Sequence, residues 1–177
     1  SPQDRLYRIV EEGMCIGCGL CESLAGTACV KMQVVESGFE RPVVVGSLSH
    51  ETVDAIYDTC PGTRVEALPT LLAEQAASHD LVWGPHERFI EAWAGDPAVR
   101  HEGSTGGVLT ALGQFLVDTG EVDFVLHAKA GGNDPTFGQP HVSETAAEVL
   151  DGAGSRYGPT AVLQNVHDQL EKGRPFA

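Results

Sequence analysis

The sequence predicts a mixed α/β chain in which a small cysteine-rich module precedes a larger layered domain. Four of the five cysteines lie within the first 29 residues, and the fifth is at position 60. Beyond residue 86, apolar stretches with the periods of strands and helices alternate, which is typical of layered α/β structures. We therefore expect a module over residues 1–68, a linker over residues 69–86, and the first part of an α/β domain over residues 87–177, incomplete at its C-terminus.

The cysteines carry the strongest signal in the chain. Cys15, Cys18 and Cys21 recur at every third position among small residues, and Cys60 belongs to a Cys-Pro pair. Three thiols at this spacing form a ferredoxin-like loop around an iron-sulfur cluster, for which a distant Cys-Pro supplies the fourth ligand. Ala25 occupies the place where the bacterial ferredoxin run begins a second cluster. The pattern therefore predicts a single [4Fe-4S] cluster held by these four cysteines.

Two other roles for these cysteines fit the spacing less well. A structural zinc site normally uses two Cys-x-x-Cys pairs, or pairs of Cys and His, and a disulfide framework requires an even number of cysteines. The fifth cysteine, Cys29, has two interpretations. Beside Val30 and Met32 it is interpreted as a buried apolar thiol, and competition with Cys60 for the fourth ligand position is the alternative.

The elements of the module follow from its apolar pattern. We predict a short strand or arm, a two-stranded hairpin around a glycine-containing turn, and a helix (residues 6–10, residues 31–35 with 42–46, and residues 50–59). The helix carries Val53, Ile56 and Tyr57 on one face and ends at Cys60. It therefore delivers the fourth thiol to the cluster loop. Residues 69–85 contain a possible short helix within a segment that otherwise has the composition of a linker.

A glycine-rich loop over residues 103–107 is the second candidate site. It precedes a predicted helix over residues 108–120, which is followed by a predicted buried strand over residues 122–130. The free amides of a helix N-terminus and the hydroxyls of Ser104 and Thr105 suit a phosphate or another anion. Plain helix capping is the alternative, since the loop has neither the lysine of a P-loop nor the glycine spacing of a Rossmann fingerprint.

A second glycine-rich loop spans residues 152–159 and lies between two predicted helical segments. Thr145 opens the first segment with a capping box, and Thr160 is the expected cap of the second. Arg156 can pair with a phosphate and Tyr157 can stack on a flat ring. An ordinary surface loop is the alternative interpretation.

The last residues predict an unfinished fold. Apolar positions 162, 163, 166 and 170 mark a helix that Gly173 ends, and residues 174–177 have the pattern of an opening strand. We therefore expect this chain to be part of a longer polypeptide.

Charge and hydropathy disfavour two kinds of partner. Twenty-five acidic residues against eleven basic ones give a formal charge of −14, which repels nucleic-acid phosphates and anionic membrane surfaces. No apolar run approaches the roughly 20 residues of a membrane span. We expect a protein of the cytoplasm, where thiols stay reduced, with no nucleic-acid partner and no membrane span.

Four of these features occur in an order that resembles the β-subunit family of deazaflavin-coenzyme (factor 420) hydrogenases and dehydrogenases, which includes 7-hydroxymethyl chlorophyll a reductase and the ferredoxin-dependent divinyl chlorophyllide 8-vinyl reductase. The features are the Cys-Ile-Gly-Cys-Gly-Leu-Cys run, the later Cys-Pro-Gly, and the segments over residues 103–112 and 152–159. The resemblance covers nearly the whole chain. It implies an iron-sulfur flavoprotein whose FAD lies around Ser104, Thr105, Gly106, Gly107, Ser155, Arg156 and Tyr157.

The resemblance implies electron transfer between the [4Fe-4S] cluster and FAD, with a deazaflavin, ferredoxin or tetrapyrrole-type substrate. A ferredoxin-type subunit without its own flavin is the alternative, and a structural zinc module is a third hypothesis. The expected partners are the C-terminal remainder of the same polypeptide, a redox partner and further subunits of an oligomer. His127 and Lys129, near the end of a predicted strand, are interpreted as solvent-facing and are given no catalytic role.

Overall fold

The computed structural model describes residues 1–66, 69, 74–132 and 134–177. This described part is a mixed α/β structure with short antiparallel two-stranded sheets, which confirms the predicted class at this level. The helices and strands in chain order are α1 (Pro2–Glu11), α2 (Leu20–Ala25), β1 (Val30–Val34), β2 (Glu40–Val44), α3 (His50–Thr59), β3 (Ser78–Asp80), β4 (Gly84–His86), α4 (Pro97–Glu102), α5 (Val108–Asp118), β5 (Val125–Ala130), β6 (Gly138–Ser143), α6 (Ala146–Asp151) and α7 (Val166–Glu171). A short 3-10 helix, Thr105–Gly107, directly precedes α5.

The N-terminal segment is a helix, so the predicted strand or arm over residues 6–10 is wrong. The Ser1 side chain accepts a hydrogen bond from the Asp4 backbone amide, and the Asp4 carboxylate accepts one from the backbone nitrogen of Ser1. This capping box stabilises the first turn of α1. Leu6 and Ile9 then lie three residues apart on the buried face of the helix. The apolar run was too short for its periodicity to distinguish a strand from a helix.

The hairpin and the helix predicted after it are both confirmed. β1 and β2 pair in antiparallel register with Val30 opposite Val44. The Ser49 side chain caps α3, and Cys60 follows the last helical residue as the C-cap. The core of this region is a cluster of buried residues from the two helices and the hairpin: Leu6, Ile9, Val30 and Ile56.

The second half is built around the hairpin of β5 and β6 and the two helices that flank it. Val125 lies opposite Ser143 in the antiparallel register, and α5 contacts α6. The Thr145 cap and its capping box are confirmed. The last helix is shorter than predicted: α7 begins after Asn165, so Thr160 is not its cap.

The last residues of the chain extend along β5, as predicted for an opening strand. The Ala177 amide donates to the Phe124 carbonyl at 3.2 Å, and Phe124 and Phe176 form a parallel bridge. Their rings are stacked with centroids 5.0 Å apart.

The segment predicted as a linker contains a small hairpin. β3 and β4 pair in antiparallel register, with Ser78 opposite His86. The possible short helix considered within this segment falls largely on residues 70–73, which lie outside the described residues. The division of the chain into domains stays a prediction. No helix of the described part is long and apolar enough to cross a membrane.

Candidate functional site

The four predicted cluster ligands line one small pocket. Cys15, Cys18 and Cys21 come from the loop before α2 and from its first turn, and Cys60 comes from the end of α3. The rest of the lining is mainly apolar and includes residues of the neighbouring core: Leu6, Ile9, Ile56, Met32 and Pro42. The sequence thus brings all four thiols to one water-poor site.

Two glycines shape the loop that carries three of these thiols. Gly17 and Gly19 have φ values of +75° and +89°, a conformation that L side chains rarely adopt. A Cβ at Gly17 would lie 2.8 Å from the carbonyl oxygen of Glu40, and one at Gly19 would lie 2.9 Å from the backbone nitrogen of Gln164. The loop is therefore packed between the hairpin on one side and the segment before α7 on the other.

Backbone amides point at the sulfurs of the pocket. The Gly62 amide donates to Sγ of Cys60 at 3.4 Å. The amides of Leu20 and Glu22 hydrogen-bond the thiols of Cys18 and Cys21 and act to lower their pKa values. Hydrogen bonds of this kind stabilise metal-bound thiolates and tune cluster potentials.

Burial and repulsion by neighbouring thiols nevertheless outweigh these hydrogen bonds at Cys18 and Cys21 and raise the pKa of both. Burial, followed by the neighbouring thiols, raises the pKa of Cys21 to about 12. Burial is also the largest cause of the raised pKa of Cys18, to which Cys60 and Cys15 contribute. Two thiolates this close are unfavourable without a compensating positive charge, so binding of a metal centre here displaces protons.

The four thiols of the pocket are a donor set that suits an iron-sulfur cluster. Within the described part of the chain, no group of three or more His, Cys, Asp or Glu side chains converges closely enough to hold one metal ion. A zinc site requires each sulfur to lie about 2.3 Å from the same ion. A four-iron cluster instead gives each thiolate its own iron atom, so the sulfurs are further apart.

Cys29 does not line the thiol pocket. Its side chain is partly buried, rather than buried as expected, and it lies just before β1. Its carbonyl oxygen accepts hydrogen bonds from the amides of Val45 and Gly46. The geometry therefore favours Cys60 over Cys29 as the fourth thiol of the pocket.

The two glycine-rich loops of the second half meet. Ser104 Oγ accepts a hydrogen bond from the Ser155 amide at 2.7 Å. Ser104, Thr105 and Ser155 line a cavity of about 530 Å³, whose walls also include Ile90 and Leu109. A cavity of this size lies within the range of ligand sites. We refer to it below as the serine cavity.

Backbone conformation in the first loop is unusual at three consecutive positions. Thr105 is the one non-glycine residue of the described part with a positive φ, at 52°, and strained residues of this kind cluster at ligand sites. Gly106 and Gly107 also have positive φ values and do not line the serine cavity. A Cβ at Gly107 would lie 2.6 Å from the Val99 carbonyl oxygen. These two glycines therefore hold the loop against α4 and the preceding segment.

The remaining predicted flavin residues line a different cavity. Arg156 and Tyr157 contribute to a cavity of about 420 Å³ together with Ile16 of the cluster loop and Phe39 of the first hairpin. Arg156 Nη2 donates to the Ala153 carbonyl at 2.9 Å, and the Tyr157 side chain is 94% exposed. Five of the seven predicted flavin residues are thus divided between two cavities, and Gly106 and Gly107 line neither. Ile16 and Phe39 have no predicted role, because a one-dimensional pattern does not connect them with Tyr157.

His127 and Lys129 both have partners and are not simply solvent-facing. The His127 ring nitrogen Nε2 and Ser143 Oγ are 2.8 Å apart, and Lys129 forms an ion pair with Asp151. Burial, with smaller contributions from His141 and Lys129, lowers the pKa of His127. These contacts hold β5 against β6 and α6, and they assign no catalytic role to either residue.

The fold and the thiol pocket define a small mixed α/β protein with a four-cysteine site. Residues 89–167 match the family model described as coenzyme F420 hydrogenase/dehydrogenase, beta subunit N-term. Over this segment the chain is similar to the β subunits of coenzyme F420 hydrogenases and dehydrogenases, which supports the family inferred from the sequence. The four cysteines of the pocket lie outside the matched segment.

The other comparisons are less extensive. No curated protein matches the chain. A chain in the structure of the F420-reducing [NiFe] hydrogenase complex from Methanosarcina barkeri is similar at 23% sequence identity and a TM-score of 0.42. The similarity covers 46% of this chain and 28% of that chain, so this sequence spans less than a third of the length of that relative.

Proposed function

We propose that this protein is an iron-sulfur flavoprotein oxidoreductase that passes electrons between a [4Fe-4S] cluster and FAD. Cys15, Cys18, Cys21 and Cys60 would hold the cluster. The serine cavity would hold part of the FAD, with Ser104, Thr105 and Ser155 among its ligands. The family description, a hydrogenase or dehydrogenase subunit, supports a redox role.

The observation that carries the proposal is a contact between the cluster loop and the chain segment that follows Ser155. The Leu163 amide donates to the carbonyl oxygen of Cys18 at 2.8 Å. Gly19, the next residue of the cluster loop, is packed against Ala161 and Gln164. The same chain segment begins at Ser155, which lines the serine cavity. The cluster loop is therefore packed against the segment that leads away from the serine cavity, which supports electron transfer between the two sites.

The residues of this chain bind, orient and shield the two centres. When bound, the cluster supplies single-electron transfer and the flavin converts between single electrons and a hydride. Leu6, Ile9 and Ile56 keep water from the thiol pocket. The hydrogen bond between Ser104 and Ser155 fixes the two loops relative to each other. Free amides at the start of α5 suit the phosphates of a dinucleotide.

The substrate and partners belong to the same proposal. A deazaflavin, ferredoxin or tetrapyrrole-type substrate, a partner subunit and a cytoplasmic location all agree with a redox protein whose thiols stay reduced. Among these, the family description favours the deazaflavin coenzyme that it names.

The direct test is the cofactor content of the protein purified without oxygen. We expect about four irons and four sulfides per chain, with one flavin. Ile90→Glu places a negative charge in the wall of the serine cavity, where Ile90 is exposed, and should lower flavin content while iron content is kept. Val82→Glu, at an exposed position outside the cavity, is the matched control.

Each other outcome has a defined meaning. Iron and sulfide without flavin in any preparation would replace the flavoprotein by a ferredoxin-type subunit. Zinc without sulfide would overturn both. Equal loss of flavin in Ile90→Glu and Val82→Glu would remove the serine cavity as the flavin site.

A further inference from the structure

The stretch between the turn of the β3–β4 hairpin and the start of α4 exposes a group of large apolar side chains. Each of them is between 60% and 74% exposed: Trp83, Phe89, Ile90 and Trp93. We call residues 83–93 the aromatic segment. Single apolar residues on a protein surface are common, whereas a concentration of this kind marks an interaction site.

Contacts within and beside the aromatic segment hold its rings in place. The Trp83 and Phe89 rings pack edge-on with their centroids 6.3 Å apart, and the His86 ring centroid lies 4.4 Å from that of Phe89. The Asp80 carboxylate accepts hydrogen bonds from the amides of Val82 and Trp83 at 2.8 and 2.9 Å, which fixes the hairpin turn. A surface that is already ordered in this way loses less conformational entropy when it is covered.

The part of the segment beyond the hairpin is anchored at both ends and exposed between them. The Glu87 carboxylate accepts a hydrogen bond from the Ala77 amide at 3.2 Å. At the other end Ala94 is buried, and its amide donates to the Gly106 carbonyl at 2.7 Å. Residues 87–93 are all exposed and lie in neither a helix nor a strand.

The charges of the segment are complementary to those of a second copy. Arg88 and Glu91 flank Phe89 and Ile90, are exposed, and form no ion pair within the described part. A two-fold axis near the middle of residues 88–91 brings Arg88 of each copy to Glu91 of the other, because a symmetric contact is reciprocal. These two ion pairs counteract, at short range, the repulsion between two chains of net charge −14.

The size of the exposed surface also fits a dimer. The exposed parts of the four apolar side chains amount to roughly 500 Å², since an aromatic side chain covers about 150–250 Å² and an isoleucine somewhat less. A standard interface buries about 800 Å² on each partner, and homodimer interfaces are about 65% apolar, which again gives roughly 500 Å² of apolar surface.

We propose that the aromatic segment is the contact between two copies of this chain in a symmetric dimer. Phe89 and Ile90 of each copy pack at its centre, and Arg88 of each copy pairs with Glu91 of the other. Ile90 also lines the serine cavity, so the dimer places the second copy beside the wall of that cavity. The association itself is independent of the bound cofactors and therefore of the proposed function.

The test measures the mass of the protein, purified without oxygen, by sedimentation velocity over a hundredfold range of concentration. We expect a reversible dimer with a dissociation constant on the order of 1 μM or below. Arg88→Glu and Glu91→Arg each set like charges opposite each other twice, so each should weaken the dimer by at least about tenfold. Phe89→Ala tests the apolar centre and should weaken it by about tenfold as well.

A mixture of the two charge variants tests the two-fold arrangement directly. One variant has two acidic residues at these positions and the other has two basic ones, so a mixed dimer again joins an arginine to a glutamate in both contacts. An equimolar mixture should therefore recover the affinity of the unmodified protein to within about threefold. Arg8→Glu and Glu121→Arg reverse exposed charges elsewhere and should leave the dimer unchanged.

The proposal is overturned by any of three results. A monomer at every concentration would leave the aromatic segment to a different partner. A dimer that neither charge variant weakens would place the contact on another face of the molecule. A mixture that fails to recover the affinity would show that Arg88 and Glu91 do not face each other. Iron and flavin contents, measured on the same samples, report separately on the proposed function.

Discussion

The long helices of the two halves differ in how far their apolar faces are covered. In the first half the apolar faces of α1 and α3 are buried against the hairpin, with Leu6, Ile9 and Ile56 almost fully inaccessible. In the second half, α5 has an equally clear apolar stripe, yet Leu109 is 83% exposed and Phe115 is 58% exposed. The first half therefore has a closed core beside its thiol pocket, and the second has open apolar surfaces beside its cavities.

This contrast shows what an apolar stripe can and cannot tell. Periodicity identifies the face of a helix that gains from being covered, but it does not say what covers it. Contiguous exposed apolar surface in a native protein marks ligand grooves or interaction sites. The residues 89–167 that match the family model contain the open surfaces, whereas the cysteines lie in the closed half. The function of the second half thus depends on which ligands enter its cavities and on what covers its exposed apolar faces.

The largest expected effect concerns the thiol pocket of the closed half and comes from replacing one of its cysteines. Cys60→Ser should abolish the bound iron and the visible absorption, because a hydroxyl is a poor substitute for a thiolate ligand of iron and the other three thiols leave one corner of the cluster open. Metal binding and folding are coupled in such loops, so unfolding by urea should also become easier. Iron and sulfide analysis on the protein purified without oxygen gives the measurement.

Cys29→Ser is the matched control, since Cys29 does not line the pocket. It should retain the iron. If Cys29→Ser lost the iron and Cys60→Ser kept it, Cys29 would be the fourth ligand and the geometry of the thiol pocket would be misleading.

An intermediate effect compares a buried apolar side chain with an exposed one. Ile56→Ala, in the closed core, should lower the free energy of unfolding by about 2–5 kcal/mol, because it leaves a cavity. Leu109→Ala, on the open face of α5, should change it by no more than about 0.5 kcal/mol. Urea unfolding followed by circular dichroism measures both. A large destabilisation by Leu109→Ala would mean that the face of α5 is covered in solution, and the contrast between the halves would fail.

Local patterns predicted much of the closed half. The cysteine spacing, the hairpin with its glycine turn and the helix that ends at Cys60 each depend on a few neighbouring residues, and the structure has the last two as predicted. The prediction for residues 6–10 was wrong because a five-residue segment with apolar Leu6, Ile9 and Val10 fits either period, and the capping box of Ser1 and Asp4 favours a helix.

The candidate sites of the second half depend on contacts that no local pattern reports. The hydrogen bond between Ser104 and Ser155 joins residues 51 positions apart. Phe39 and Tyr157 line one cavity of about 420 Å³, whereas the sequence pattern predicted that Arg156 and Tyr157 share a flavin site with Ser104. Tertiary packing decides which of two neighbouring cavities a loop residue lines. The sequence could therefore single out the two loops as candidate binding elements, but not the cavity that each of their residues lines.

The smallest effect is a pH dependence that belongs to the second half. Burial lowers the pKa of His127 below its ordinary value of 6.5, so at mildly acidic pH the unfolded chain binds this proton more readily than the folded one. The contribution of this pKa difference to the free energy of unfolding is fully present above about pH 6.5 and is lost as the pH falls through the folded-state pKa.

His127→Gln keeps a hydrogen-bonding nitrogen for Ser143 but does not titrate, so urea unfolding between pH 7.5 and 5.5 should depend less on pH in this variant. His141 lies against the same ring, and both His141 and Lys129 disfavour a positive charge on His127. An unchanged pH dependence in His127→Gln would place the titrating group elsewhere, and hydrogen exchange of the β5 amides would then show whether this sheet responds to pH at all.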